Sequence, residues 1–271
     1  MKSENKPQIP EDMILIPAGE FEMGSNEGKD DEKPVHKVYL DAYYIDKYEV
    51  TNEQYAGFLN KWGKTTDENG EEMINLEGSY RTEKCRILKE GGRFVVESGY
   101  EKHPVIYVSW YGANQYAKYY GKRLPTEAEW EKACRGGSEG KFFFGDNESE
   151  LDEYAWYYKN SGSIVHPVGE KKPNKFGIYD MYGNIWEWCA DWHDKKYYAS
   201  VLGPALRDEK SPNNNPKGPD SGQYKILRGS SWDGGASSCH SSFRSFDIPS
   251  SRWVKFGFRC AFSLRLQSLT E

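Results

Sequence analysis

Hydrophobic positions recur with a helical period in three stretches of the chain, and with strand-like alternation in several shorter ones. Thr51-Asn52-Glu53-Gln54 is a capping box, in which the two end side chains satisfy each other's orphan amides. It predicts a helix from Asn52 to about Trp62, with Tyr55, Phe58, Leu59 and Trp62 on one face. Ser109 is placed to cap a second helix ending at Tyr120, with Gly121 as its stop. Thr126 and Glu129 form the box of a third helix, which Gly136-Gly137 ends. Met13–Gly24 reads as a hairpin turning at Pro17-Ala18-Gly19, and Val35–Ile45 as a second strand pair built on Val38, Leu40 and Tyr44.

Gly63–Lys102 is polar and punctuated by glycine, and reads as a surface insertion with strands near Cys85–Leu88 and Arg93–Glu97. Val105–Val108 reads as a short buried strand, and only turns and short strands are expected beyond the third helix. Trp186 and Trp188, two apart, share one face of an extended chain and read as core. Residues 1–12 read as a flexible arm, and Gly203–Gly222, rich in Pro and Asn, as a long surface loop. The run Asp30-Asp31-Glu32 reads as a solvated face. Glu127, Glu129 and Glu131 lie near a helix start, where the macrodipole favours them. Two to three helices beside a small, loop-rich antiparallel sheet make a single α+β domain, residues 13–265.

One long stretch, Leu227–Cys260, follows neither period. Ser and Gly crowd its interior while Phe243, Phe246, Ile248 and Trp253 stand singly among them. A core segment has a period, and a disordered linker lacks the rings. Small hydroxylic residues set among a few large rings suit a recognition surface, where rings supply rigid area and Ser supplies adaptable hydrogen bonds.

Charge and cysteine content narrow the partners. The formal net charge is −6, which argues against a nucleic-acid backbone as partner. No run of apolar residues approaches a bilayer span. The start, MKSENKPQIP, has no apolar leader segment, so the expectation is either a cytosolic protein or one whose leader has been removed. Cys85, Cys134, Cys189, Cys239 and Cys260 show no CxxC spacing, which argues against a zinc site. Their odd number leaves at least one thiol without an intrachain partner. Cys239, His240 and Asp247 could be drawn as a hydrolytic triad, but nothing in the sequence orders them.

Five segments together resemble the formylglycine-generating-enzyme (sulfatase-modifying factor) domain, a variant of the C-type lectin fold. They are Ile16–Ser25, Asp46–Leu59, His103–Gly137, Asn174–Trp192 and Arg228–Cys260, of which KRLPTEAEWE and GNIWEWCADW are the most specific. The oxidising members bind copper through two thiols just past a GGS[WY] motif. Here the second position falls on Cys239 and the first on Gly234, and one thiolate is not a two-coordinate soft-metal site. The resemblance therefore implies no oxidase activity, with a metal-dependent oxidase or oxygenase as the alternative. An iron-binding HxxxHxE cluster is not formed by the scattered His36, His103, His166, His193 and His240. The resemblance also sets Cys134 opposite Arg244 and Ala117 opposite Cys260 where relatives have disulfides, so Cys134 and Cys260 are expected as buried free thiols. Asn184 and Glu187, in GNIWE, match a place that can hold a structural calcium ion, or they hydrogen-bond loop backbone. No cofactor other than that ion is expected.

Residues Arg228–Cys260 are also similar to the variable region of proteins diversified by retroelements, in which error-prone reverse transcription scrambles adenines. The frame residues of that pattern fall on Trp232, Ala236, Cys239, Arg244, Pro249, Arg252 and Gly257-Phe258-Arg259. The slots are Asp233, Gly234, Gly235, Ser237, Ser238, His240, Ser242, Phe243, Ser245, Phe246, Asp247, Ile248, Ser250, Ser251, Trp253 and Val254. Trp253 and neighbouring Lys255 cannot arise from an Asn codon by adenine changes alone, so they are fixed or come from another codon. The resemblance implies a non-catalytic, receptor- or adhesin-like protein displayed at a cell surface as an outer-membrane lipoprotein. Its expected partner is a protein or other macromolecule, and the expected state is a monomer. Side chains between Asp233 and Lys255 should then point into solvent, with Trp253, Phe243 and Phe246 as anchors.

Overall fold

The computed structural model describes residues 12–201 and 213–263. The expected arm before Asp12, much of the expected loop at 203–222 and the last two residues of the expected domain lie outside the described residues.

Four strands come first: β1 (Met13–Ile16), β2 (Gly19–Met23), β3 (His36–Leu40) and β4 (Tyr43–Asp46). They do not form the two consecutive hairpins that the alternation suggests. β1 pairs with β4 and β2 with β3, all antiparallel. Gly19, at φ 142°, starts β2 immediately after Pro17-Ala18, so the chain bends there instead of reversing onto β1. β4 buries Tyr43 and Ile45, and takes β1 on one side and β13 (Ala261–Ser263) on the other.

The three longer helices lie where their caps place them. In α1 (Asn52–Trp62) the Thr51 hydroxyl accepts from the Gln54 amide, and Gly63 closes the end at φ 86°. Ser109 caps α2 (Trp110–Tyr119) and Thr126 caps α3 (Glu127–Arg135) in the same way. Between α1 and α2 the insertion folds as two hairpins, β5 (Ser79–Tyr80) with β6 (Glu83–Lys84) and β7 (Ile87–Glu90) with β8 (Arg93–Val96). Val105–Val108 is buried as expected but makes no ladder. Its amides go instead to Val50, Trp253 and Phe256, which turns it into a brace for the C-terminal segment.

Beyond α3 the sequence pattern shows no helix, yet α4 (Leu151–Tyr154) and α5 (Tyr197–Ser200) each form one turn. A single turn is too short to leave a period. The second sheet has the order β11-β10-β9-β12, from β9 (Trp186–Trp192), β10 (Lys225–Arg228), β11 (Ser245–Asp247) and β12 (Phe256–Gly257). Its last pairing is parallel, so the sheet is mixed and not purely antiparallel. Successive residues of β9 and β10 feed different cores: Trp188 and Leu227 join the α1–α2 side, Cys189 and Ile226 the α3 side.

All five cysteines are buried free thiols. The Cys134 sulfur faces the Ser241 hydroxyl at 3.9 Å, while Arg244, expected opposite it, pairs elsewhere with Glu127. Near the start of α3, Asp191 accepts the Glu127 amide at 2.8 Å. Burial, with the nearby Glu127 charge, pushes its carboxyl up from 3.8 to about 7. A folded value above the unfolded one means that its contribution is present below pH 3.8 and is lost as pH rises toward 7. Asp191→Asn should therefore lose less melting temperature than the parent between pH 5 and pH 8, by roughly 3 °C. Thermal melts followed by circular dichroism at the two pH values check this.

Candidate functional site

Three buried arginines fix the irregular C-terminal stretch. Arg228 ends β10 and donates to the carbonyls of Ser241, Ser242 and Phe243 at 3.0, 2.8 and 2.5 Å. Its other partner is the Glu131 carboxylate of α3. Arg244 makes a fork of two 2.8 Å bonds to Glu127 and donates to the Asp31 carbonyl. Arg259 makes the same fork to Glu187 at 2.7 Å and reaches the Tyr179 carbonyl. Burial would push Glu131 up, but the Arg135 and Arg228 guanidinium groups outweigh it and hold the carboxyl below its ordinary range.

Those carboxylates are thus more than favourable helix charges, since Glu127 and Glu131 are the counter-ions of the stretch. The run Asp30-Asp31-Glu32 is likewise no solvated face as a whole. Glu32 is fully buried and accepts from the Ser242 hydroxyl at 2.8 Å.

On this frame the sixteen expected slots divide by environment. Gly235, Ser237, Phe246, Ile248, Ser250 and Trp253 face solvent, with Phe246 and Ile248 41% and Trp253 55% exposed. Asp233, Gly234, Ser238, His240, Phe243, Ser245, Asp247 and Ser251 are half-buried. Ser242 and Val254 are buried, and the outward placement expected of them is corrected. Ser242 is consumed by Glu32, and Val254 packs into the α1–α2 core. Phe243 is partly enclosed too, tilted against Trp186 with the Lys29 ammonium 4.0 Å above its ring. His240 contacts the Ser242 hydroxyl at 3.2 Å, and burial lowers its pKa.

Asp233, Asp247, Trp253, Val254, Lys255 and Phe256 line a groove of about 540 Å³. Its far wall is Tyr80, at the end of β5, a residue that the sequence reading did not single out. The available signal was a lone ring among polar neighbours, Ser79 and Arg81, in an insertion otherwise without exposed aromatics nearby. The groove's carboxylates already have partners within the chain. Lys255 pairs with Asp233 at 3.0 Å, and Asp247 accepts from the Ser251 hydroxyl and the Ile248 amide. Phe246 lies on the His193 ring at 3.8 Å between centroids.

Other chemistries fit less well. Burial pushes the Cys239 thiol up to about 12, and Asp247 and His240 bond to serines instead of to each other, so no triad forms. Gly234 offers no donor beside Cys239, so the residues present do not fit a two-sulfur copper site. Both Glu187 oxygens are held by Arg259, and Trp130 donates to one of them. The Asn184 side-chain oxygen accepts the His166 amide, so this pair does not fit a calcium ion either.

A three-stranded and a four-stranded sheet, three two-stranded ribbons, three packed helices and a long surface segment pinned to them define a C-type-lectin-like α+β domain. Residues 1–264 match the sulfatase-modifying factor enzyme 1-like domain, and the chain belongs to that family. It is 32% identical to the formylglycine-generating enzyme of Streptomyces coelicolor over 94% of this chain and 90% of that one. It is 40% identical to the serine/threonine-protein kinase pkn1 of Chlamydia pneumoniae over 96% of its own length but 39% of the kinase. The chain thus spans about two fifths of the chlamydial relatives it matches. Among solved structures, the Treponema denticola variable protein 1 superposes with a TM-score of 0.67 at 28% identity, covering 92% of this chain and 94% of that one. PvdO from Pseudomonas aeruginosa gives 0.73 at 26% identity, covering 93% and 94%.

Removing the charge of Glu131 strands Arg228 and Arg135 in the interior. Glu131→Gln should cost about 3–5 kcal/mol and lower the melting temperature by roughly 10 °C. Glu148→Gln, at an exposed pair with Lys141, should change it by under about 2 °C. Because Glu131 sits below its ordinary value when folded, its contribution holds above that value and is lost as pH falls through the folded one. The gap between parent and Glu131→Gln should therefore narrow in acid melts.

Proposed function

We propose that this domain is a non-catalytic binding module whose ligand is a protein or other macromolecule. The observation that carries the reading is the exposure of Phe246, Ile248 and Trp253 on a backbone pinned by Arg228, Arg244 and Arg259. Large rings held in water by a rigid frame gain by being covered, and they lose little freedom when that happens. Polar groups already partnered at the groove, Asp233 with Lys255 and Asp247 with Ser251, favour an apolar contact ringed by polar residues. The likeness to the Treponema denticola variable protein 1 supports retroelement diversification of the exposed slots. Display at a cell surface as a lipoprotein, and a monomeric state, belong to the same reading.

A kinase reading receives no support from this chain, which contains neither an H-R-D nor a D-F-G tripeptide. The oxidase alternative draws on the 32% identity to the Streptomyces coelicolor enzyme. It requires copper or iron bound one to one with Cys239 as a ligand, which metal analysis of purified protein decides.

Randomising Gly235, Ser237, Phe246, Ile248, Ser250 and Trp253 together should leave most variants folded, with melting temperatures within roughly 3 °C of the parent. The same library displayed on phage should yield binders to unrelated proteins, and back-substitution of Trp253 by Ala should weaken them by about tenfold or more. Widespread unfolding in the library would mean that these positions are core. A near-identical downstream repeat differing at adenines, beside a reverse-transcriptase gene, would establish the diversification.

A further inference from the structure

Cys239 is preceded by a small, tightly ordered turn whose residues behave differently from the slots around them. Ser230 sits at φ 72°, in the left-handed region that a serine enters only at a cost, and is fully buried. Its hydroxyl is 2.7 Å from that of Ser238. Ser238 spends its own proton on the Gly235 carbonyl at 2.8 Å, so Ser230 donates and Ser238 accepts.

Gly234 lies against the same pair. A β-carbon there would be 2.2 Å from the Ser230 hydroxyl oxygen, and 3.1 Å from both the Ser231 carbonyl and the Ser238 hydroxyl. Its backbone cannot retreat easily, because its amide donates to Ser231 and its carbonyl accepts from Tyr158. Gly234 is not among the residues with positive φ, so space and not conformation excludes a side chain. The neighbouring Gly235 shows the contrast, with only the Ser237 hydroxyl in reach, at 3.7 Å.

We propose that Ser230 and Gly234 are a coupled pair in which the Ser230 hydroxyl fills the volume that a side chain at 234 needs. Position 234 is therefore held to glycine while Ser230 stands, and it is a frame position, not a slot. The inference stands whatever the exposed surface binds.

A double-mutant cycle tests it by melting temperature. Gly234→Ala in the parent should lower the melting temperature by roughly 3–6 °C, while the same change in a Ser230→Gly background should lower it by under about 2 °C. Gly235→Ala is the control and should change nothing. An equal loss in both backgrounds, or none in the parent, overturns the coupling. Should Gly234→Ala fail to fold alone, recovery of a folded Ser230→Gly/Gly234→Ala protein is itself the expected result, and failure of both overturns it.

Discussion

The irregular C-terminal stretch of this domain holds its shape because guanidinium groups are buried inside it. Each of Arg228, Arg244 and Arg259 meets a carboxylate from a regular element, Glu131 and Glu127 from α3 and Glu187 from β9. A buried ion pair is weak evidence for net stability, because desolvation consumes much of the Coulomb gain. What these pairs supply is position. Each guanidinium also donates to main-chain carbonyls, three successive ones in the case of Arg228, so backbone without a ladder is still held in one geometry. An apolar replacement could fill the volume, but it could not tie successive peptide groups to a helix.

That arrangement separates two demands that usually compete. Stability comes from the two cores on either face of β9 and β10, and position from the charged staples. Recognition is left to side chains that contribute little to either. Trp253 shows how sharply the two are divided: its carbonyl accepts the Tyr107 amide and belongs to the frame, while its indole stands in water. The next residue, Val254, points the other way and is core. Alternation at that boundary is the strand-like period of two, compressed into a single step.

How much of this was legible in the sequence follows the range of the interactions. The helices were readable because caps are local: Thr51 with Gln54 and Thr126 with Glu129 each close within one turn. Strand partners were not, since the alternation in Met13–Met23 states that strands exist and says nothing about which neighbour each takes. The staples were invisible for the same reason. Glu131 and Arg228 are separated by 97 residues, and a carboxylate near a helix start looks alike whether it faces water or a buried arginine. Glu32 was misread as solvated because its partner, Ser242, is 210 residues away. At the candidate site the exposed rings were foreseeable from their isolation among Ser and Gly. Tyr80 was not, because it reaches the groove from an insertion far away in the chain.

The buried slots carry a further consequence for how such a surface can change. Frame and slot alternate so closely that a resemblance in sequence marks too many positions as free. Ser242 is committed to a buried carboxylate, and Val254 to the core. The repertoire of this surface is therefore set by the few positions whose side chains touch nothing that the fold needs. Of those positions only Trp253 lines the groove, beside the buried Val254 and Phe256, so variation there alters one wall while its two buried apolar residues stay constant. Constant apolar residues beside a changeable wall keep a basal attraction for apolar ligand groups and leave discrimination to the exposed positions, where each exchange costs the fold little.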